Sequence, residues 1–268
     1  MVCAALNYVA DMKERPRFHA VDHSRDRLAR DPRTVTISDA RSWAETPDLD
    51  REGFTLVGHR SKVRNFGDQS ELASVHRHEI EALLQQVSGA DQVVVTVGLG
   101  GLRFSEKSPN AGKLVNSMPA RHIHIDFSDA MARRNAAAVA RGGLETVRRF
   151  AHYNVWRALS PPPQDAPLAV CDARSVSQED LVPIDFVYDA PNRPEWTFEG
   201  YVVRYNPAHR WVYWSDMRRD EALIFKTNDS DPACAHAVPH SAFDDSTCAP
   251  GAQPRVSMEM RGVALWFR

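Results

Sequence analysis

The sequence predicts an α+β protein that is mainly β, with an antiparallel sandwich or barrel as its core. Helical periodicity is confined to two segments of the first 150 residues, whereas alternating β-branched and aromatic runs dominate from residue 166 onward. All-β barrels and sandwiches of about this length often form one domain. We therefore expect a single domain over residues 1–268, with flanking helices toward its N-terminal side.

The composition of the chain excludes several classes of protein. Its 33 basic and 35 acidic side chains give a net charge of −2, which offers no general footprint for nucleic acid. No apolar run approaches the roughly 18 residues of a membrane span, and the first residues lack the features of a signal peptide. The four cysteines suit a reducing compartment. These observations predict a cytoplasmic protein that binds neither nucleic acid nor a membrane; the oligomeric state stays open, a homodimer included.

The first half of the chain is predicted to contain two helices and several short strands. Residues 1–33 are charged and irregular, so an arm or edge segment is expected there. Apolar residues at three- and four-residue spacing predict a helix over 68–89, with Ser70 as its cap and Gly89 as its end. An Ala/Arg-rich segment predicts a second helix over 129–150. The strands predicted in this half are 33–37, 53–59, 92–97 and 122–126.

The second half is predicted to be almost entirely β. Aromatic and β-branched runs at 201–205 and 211–214 are separated by Asn-Pro-Ala, which indicates a hairpin. Further strands are expected at 221–226 and 255–267. The three prolines at 161–163 form the one linker-like stretch, and it is short enough to be a loop within a single domain.

The segment HIHID contains a candidate metal-binding pattern. Side chains alternate along a strand, so His122, His124 and Asp126 project to one side. Ile123 and Ile125 then face the opposite side, where they can be buried. Two imidazoles and a carboxylate on one face are typical of non-haem Fe(II) sites. The alternative is the polar outer face of a half-exposed strand, since short HxD matches arise readily by chance.

A second group of candidate residues lies near the C-terminus. Arg255, Ser257, Glu259 and Arg261 alternate with apolar residues and so share one face of a predicted strand. An arginine followed two residues later by a serine can bind a carboxylate, such as the distal end of 2-oxoglutarate. His240, 15 positions before the arginine, would complete the metal triad.

Two alternatives from other functional classes stay open at this point. One is a structural zinc site, because zinc accepts two cysteines and two histidines. Its ligands would be Cys234, His236, His240 and Cys248, of which the histidine pair has the usual spacing and the cysteine pair does not. The other is a non-catalytic jelly roll that binds a small molecule with its polar strand faces.

Four long blocks of the sequence resemble one known family. The blocks are NVWRAL…PLAVCDARSV…EDLVPIDFVY (154–188), the run at 201–231, PHSAFDD (239–245) and PRVSMEMR (254–261). The family they resemble is related to the cephalosporin 7-α-methoxylase component and includes a fungal meroterpenoid endoperoxidase and a fungal gibberellin desaturase. The resemblance is dense from residue 124 to 261 and weaker in the N-terminal half.

The resemblance implies a non-haem Fe(II), 2-oxoglutarate-dependent oxygenase on a double-stranded β-helix (jelly-roll) core. Such an enzyme oxidises a small organic molecule with O2, by hydroxylation or desaturation, in secondary metabolism. The iron ligands carried over are His124, Asp126 and His240. Arg255 falls on the residue that binds the cosubstrate, with Ser257 as its support.

Three more residues are implied to lie around the site. Arg261 belongs to the same block as the cosubstrate arginine and is an alternative to it, while Asn154 and Arg157 belong to the N-x-W-R block and are expected to line the site. The chain departs from the family pattern at Val256, where an acidic residue is expected. The segment 93–106 also lacks an expected Asp-His pair. Both departures affect expected substrate contacts, and neither removes a proposed ligand.

Overall fold

The computed structural model describes residues 1–114 and 117–268, and for residues 97–99 it describes the backbone only. The predicted strand at 92–97 therefore ends in a residue, Val97, whose side chain lies outside the described part of the structure. The strands are β1 (Val2–Val9), β2 (Arg17–His19), β3 (Arg30–Asp39), β4 (Phe54–Gly58), β5 (Gln92–Phe104), β6 (His124–Ile125), β7 (Val147–Ala158), β8 (Leu168–Cys171), β9 (Leu181–Tyr188), β10 (Trp196–Val203), β11 (Trp211–Tyr213), β12 (Glu221–Asp229), β13 (His240–Ala242) and β14 (Val256–Phe267). The helices are α1 (Gln69–Glu71), α2 (Arg77–Ser88) and α3 (Asp129–Val139), and a π-helical turn, Leu72–His76, joins the first two.

The strands form two sheets. The larger has nine strands in the order β1-β3-β11-β8-β13-β6-β10-β9-β2, and the smaller has five in the order β4-β12-β7-β14-β5. Neighbouring strands are antiparallel except for the pairs β3/β11 and β2/β9. The mainly β class predicted from the sequence is therefore confirmed.

The two sheets pack face to face through a shared apolar cluster. Phe54, Trp156 and Phe225 come from the five-stranded sheet, and Val170 and Val212 come from the nine-stranded one. All five side chains are buried. Burial of this area between the sheets provides a large favourable contribution to folding and fixes the distance between their inner faces.

The predicted helix over 68–89 is present and covers the outer face of the five-stranded sheet. Ile80 and Leu84 of α2 belong to the same apolar cluster as Tyr153 of β7. Its N-terminal cap is Asp68, whose carboxylate accepts from backbone N–H groups of the first turn, and not Ser70. Gly89 ends the helix with a φ of 66°, as predicted.

The second predicted helix is shorter than expected. α3 ends at Val139, and the chain then passes through Gly142 and Gly143, whose φ angles of 81° and 88° are incompatible with a continuing helix. Residues from Val147 onward form β7, in the centre of the five-stranded sheet. Burial in that sheet outweighs the helical propensity of the Ala/Arg-rich sequence.

The N-terminal segment was predicted to be an arm or edge segment, and the edge alternative is confirmed, because β1 and β2 are the two edge strands of the nine-stranded sheet. The segment is less irregular than expected, since β1 pairs with β3 over its whole length and buries Val2 and Leu6. Another expectation was wrong. The runs at 201–205 and 211–214 do not form a hairpin: β10 pairs with β6 and β9, whereas β11 pairs with β3 and β8. Strands that are distant in the chain are neighbours in this sheet. Two of them, β6 and β13, pair with each other and carry the candidate site residues His124 and His240.

The helices of the described residues do not include a membrane-spanning candidate. The longest of them, α2, has 12 residues, and none of those described is long and apolar enough to cross a bilayer.

Candidate active site

The two predicted metal-binding histidines meet because their strands are neighbours. His124 on β6 lies directly opposite His240 on β13 in the antiparallel register. Side chains of directly opposed residues project to the same face of a sheet. Their ring centroids are 4.2 Å apart, and both side chains are buried. A pairing between two very short strands thus brings together residues that are more than one hundred positions apart in the chain.

Both imidazole rings are oriented by backbone carbonyls. Nδ1 of His124 lies 3.0 Å from the carbonyl oxygen of His122, and Nδ1 of His240 lies 3.2 Å from that of Val238. Since a carbonyl oxygen only accepts, each Nδ1 carries a proton, and each Nε2 is the nitrogen that faces the carboxylate of Asp126. This arrangement is typical of histidines that bind metals. Burial also holds the pKa of His124 well below its ordinary value, which keeps its ring neutral.

Asp126 supplies the carboxylate on the same face. Its two oxygens lie 3.9 Å from Nε2 of His124 and 3.8 Å from Nε2 of His240. Asn154 donates its side-chain N–H to one oxygen at 2.6 Å, and a guanidinium nitrogen of Arg261 contacts the other at 2.6 Å. Burial by itself would raise the pKa of Asp126, but the charge of Arg261 and the Asn154 hydrogen bond hold it below its usual range.

The sheet register explains why these two residues reach the same carboxylate. Arg261 on β14 lies directly opposite Asn154 on β7. Glu259 pairs with the guanidinium of Arg261 at 2.9 Å, so this arginine bridges two carboxylates. The positive charge of Arg261 is therefore already compensated, and its guanidinium supports Asp126.

The donor set of this centre fits a divalent transition metal. The candidate ligand atoms of His124, Asp126 and His240 lie within 4.8 Å of one another. Two imidazoles and one carboxylate on one side are the facial triad of non-haem Fe(II) enzymes, which leaves open positions for other ligands. Outer hydrogen bonds to all three side chains fix their orientation.

A small cavity beside the histidines is lined with charged residues. It has a volume of about 40 Å³ and contacts Arg255, Arg103, Glu259 and both histidines. Arg255 is buried; one of its terminal nitrogens donates to the carbonyl oxygen of Ala166 at 2.5 Å, and its Nε has no hydrogen-bond partner. Burial lowers the pKa of Arg255 to about 9.

Ser257 lies on the same strand face, two residues from Arg255. Its side chain is buried, and its hydroxyl has no hydrogen-bond partner among the described residues. Arg103 of β5 lies directly opposite Ser257 in the sheet. A buried hydroxyl and two buried guanidinium groups with unused donors favour an anion as the missing partner.

A second cavity adjoins the candidate metal-binding residues. Its volume is about 130 Å³, and His124, Asp126 and Arg103 line part of it. Its walls are aromatic: the ring centroids of Trp196 and Phe198 are 5.3 Å apart. Those of Phe198 and Phe186 are also 5.3 Å apart, and Tyr188, Phe18 and His122 complete the wall.

Comparisons with known proteins identify the family of this chain. A family model described as "YDMC: Oxidoreductase/YMDC permease-like domain" matches residues 6–265. The chain is 30% identical over 249 residues to the Fe(II)/2-oxoglutarate-dependent dioxygenase nvfI of Aspergillus novofumigatus. The alignment covers 88% of this chain and 84% of that protein. The chain belongs to the Fe(II)/2-oxoglutarate-dependent dioxygenase family. The dioxygenase therefore depends on Fe(II) and 2-oxoglutarate, as the sequence resemblance predicted.

Two further similarities extend over most of the dioxygenase. It is 32% identical over 256 residues to the hydroxylase/desaturase CTB9 of Cercospora beticola, covering 87% of this chain and 76% of that protein. A solved structure of the iron and alpha-ketoglutarate-dependent endoperoxidase NvfI superposes with a TM-score of 0.84 and 25% identity. The superposition covers 99% of this chain and 98% of that one.

The structure of the dioxygenase does not bring Arg157 to this site. Residues 154 and 157 are three apart on β7, so their side chains project to opposite faces of the sheet. Asn154 faces the metal-binding residues, whereas the guanidinium of Arg157 contacts His59 on the outer face. The expectation that Arg157 lines the site is corrected by this alternation.

The four residues of the zinc alternative are also not brought together. Among the described residues that could group around a metal ion, His240 clusters with His124 and Asp126. His236 instead contacts Asp129 at 2.8 Å, and Cys248 belongs to neither candidate cluster.

Sequence reasoning missed two features of the site. Arg103 lines the small cavity together with Glu259, and Trp196 lines the aromatic one with 41% of its surface exposed. Arg103 could have been found from strand alternation, since its neighbour Leu102 packs into the apolar cluster on the opposite face. No sequence signal predicted that the strands carrying the aromatic wall would lie beside β6.

Proposed function

We propose that this dioxygenase oxidises a C–H bond of a small organic molecule, by hydroxylation or desaturation, in secondary metabolism. The observation that carries the proposal is the convergence of His124, Asp126 and His240 between a small charged cavity and an aromatic one. The relatives CTB9 and efuI, the latter from Hormonema carpetanum, are both named hydroxylase/desaturase.

In this proposal, Nε2 of His124, Nε2 of His240 and the carboxylate of Asp126 hold the iron. Bound there, Fe(II) supplies the redox chemistry in which O2 and 2-oxoglutarate yield succinate, CO2 and the oxidised product. Arg261 and Asn154 keep the carboxylate ionised and oriented. Their role is positioning, because each acts through Asp126.

Arg255 binds the distal carboxylate of 2-oxoglutarate, and Ser257 donates a further hydrogen bond to it. The unused Nε of Arg255 and the unused hydroxyl of Ser257 support this role. Arg261 is the weaker candidate, since Asp126 and Glu259 already satisfy its guanidinium.

The aromatic cavity is the proposed substrate site. The neighbouring aromatic rings provide wide, flat, apolar surfaces. Such surfaces favour a planar or ring-bearing substrate over a polar, hydroxyl-rich one. The cavity ends at the metal-binding residues, so substrate bound against the aromatic wall would present one C–H bond to the centre.

The remaining parts of the proposal concern architecture and location. The face-to-face arrangement of the two sheets supports a double-stranded β-helix, or jelly roll, within a single domain over residues 1–268. The four cysteines, none of them in a disulfide, are consistent with a cytoplasmic location.

Succinate release tests the proposed reaction. The purified protein is incubated with Fe(II), 2-oxoglutarate, ascorbate and each member of a panel of aromatic and polycyclic natural-product intermediates. We expect a subset of the panel to stimulate succinate formation, and mass spectrometry of that subset to show addition of one oxygen or loss of two hydrogens. Succinate formation that no substrate stimulates, with no oxidised product, would contradict the proposal.

A further inference from the structure

The outer face of the five-stranded sheet carries a second arginine-lined cleft that the proposed reaction does not use. Its volume is about 450 Å³, and Arg157, Arg60 and Arg219 line it together with Phe66. Strand alternation separates it from the metal-binding residues, because Arg157 and Asn154 project to opposite faces of β7. The cleft is therefore separate from the candidate iron site.

Arg157 lies at the base of this cleft with only 1% of its surface exposed. Two of its nitrogens contact His59: one is 2.7 Å from the ring Nδ1 and the other is 3.3 Å from the backbone oxygen. Its Nε has no hydrogen-bond partner. A buried N–H without a partner is costly, and a buried guanidinium without a counter-charge is costlier still.

The nearby acidic groups offset this charge only in part. The negative charge of Glu79 favours the protonated form of Arg157 without direct contact. Its oxygens accept from the hydroxyl of Ser61 at 2.5 Å and from the backbone N–H of Lys62 at 2.7 Å, and not from the guanidinium. Asp220 lies on the rim of the cleft and pairs with Arg218 at 3.4 Å. Among the described residues, no carboxylate forms a salt bridge with Arg157.

The neighbouring residues increase the positive potential of the cleft. The guanidinium carbons of Arg157 and Arg219 lie 6.0 Å and 5.8 Å from the centroid of the same Phe66 ring. His59 must accept at Nδ1, because a guanidinium only donates, and burial with the charge of Arg157 lowers the pKa of His59. The histidine thus stays neutral and adds no repulsion to a bound anion.

We propose that this cleft binds a small oxyanion, a phosphate or carboxylate group of a metabolite, between Arg157 and Arg219. Planar guanidinium groups match the oxygens of both anions, and the unused Nε of Arg157 supplies a donor at the base. Phe66 provides an apolar wall on which the organic part of such a metabolite can pack. This site is distinct from the one proposed for 2-oxoglutarate, which lies on the inner face of the sheet.

Calorimetric titration at low ionic strength tests the proposal, with inorganic phosphate and malonate as the two probes. We expect saturable binding of at least one probe to the wild-type protein and about tenfold weaker binding to Arg219→Ala. Arg219 is exposed, so its removal leaves the core intact. Phosphate favoured over malonate identifies a phosphoryl ligand, and the reverse preference identifies a carboxylate.

Two controls make the result specific. Arg64→Ala removes a charge from the same region, but its side chain is 89% exposed and it does not line the cleft. The component of binding that Arg219→Ala weakens should be unchanged in this variant and in Arg255→Ala, which removes only the proposed cosubstrate contact. The proposal is overturned if neither probe saturates, or if Arg219→Ala and Arg64→Ala bind the probes equally. A failure would leave the oxygenase reaction itself unaffected.

Discussion

Two buried arginines, Arg255 and Arg157, lie on opposite faces of the same five-stranded sheet. Each is at most 2% exposed, and each has an Nε without a hydrogen-bond partner. Burial lowers the pKa of both groups, to about 9 for Arg255 and to about 10 for Arg157. In charge and burial the two environments are closely similar.

The neighbours of the two arginines are what differ. The cavity of Arg255 contacts His124 and His240, whose donor atoms converge with those of Asp126. The cleft of Arg157 contains further arginines and no candidate metal-binding cluster among the described residues. A buried arginine therefore indicates an anion, and only the groups around it indicate whether chemistry follows.

The largest expected effect separates the two arginines by their role in turnover. Arg255→Ala should raise the KM for 2-oxoglutarate about a hundredfold, because it removes a bidentate, charge-assisted contact from a buried site. The Fe(II) requirement should change far less. Steady-state succinate formation at varied 2-oxoglutarate, and separately at varied Fe(II), measures both.

Arg157→Lys is the matched control on the outer face. It keeps the positive charge, and the residue is remote from the cosubstrate, so the KM for 2-oxoglutarate should stay at the wild-type value. If Arg255→Ala altered the Fe(II) and 2-oxoglutarate requirements equally, or if Arg157→Lys matched its effect, the two arginines would not differ as described.

A smaller effect is expected when the support of the metal-binding carboxylate is removed. Arg261→Met should weaken Fe(II) affinity by at least about tenfold, because Asp126 loses the cation that keeps it ionised and in place. Arg261→Lys restores the charge and should recover part of the affinity. Anaerobic Fe(II) titration followed by the visible charge-transfer absorption of the 2-oxoglutarate complex measures this. An unchanged Fe(II) affinity in Arg261→Met would show that Arg261 does not position Asp126.

The smallest expected effect concerns acid stability, which both faces share. Burial lowers the pKa of His76, near the outer cleft, and of His152, on the inner face, to about 4 in each case. The unfolded chain, with histidine pKa values of about 6.5, binds more protons between these limits. Stability contributed by neutral burial is therefore complete above about pH 6.5 and is lost as the pH falls toward 4.

Urea unfolding at several pH values checks this sign. The free energy of unfolding should decrease from pH 6.5 to pH 4.5, and His76→Gln and His152→Gln should each make that decrease less steep. A free energy that rose on acidification, or slopes identical to wild type in both variants, would contradict the account.

Several parts of the fold could be predicted from the sequence because they rest on local patterns. Gly89 ends a helix by adopting a left-handed conformation, and the alternation of HIHID places its isoleucines in the core. β1 could also have been found, since its residues alternate between buried and exposed positions. Its charged surroundings predicted only an arm or edge segment, and β1 is an edge strand.

Other parts could not be predicted, because they depend on contacts between distant segments. The pairing of β6 with β13, which brings His124 opposite His240, joins two strands of two and three residues. The aromatic runs at 201–205 and 211–214, which were predicted to form a hairpin, lie in separate regions of the nine-stranded sheet. The prediction that Arg157 lines the site was wrong for a different reason. Residues 154 and 157 are three apart in one strand, so strand alternation alone puts their side chains on opposite faces.

The central claim is that His124, Asp126 and His240 hold the catalytic iron, and it is tested most directly by paired variants on one strand. His124→Ala and His122→Ala differ in that both rings line the aromatic cavity while His124 alone belongs to the donor cluster. Anaerobic Fe(II) binding should fall more than about a hundredfold in His124→Ala and stay near the wild-type value in His122→Ala. Wild-type iron binding and 2-oxoglutarate turnover in His124→Ala would contradict the account.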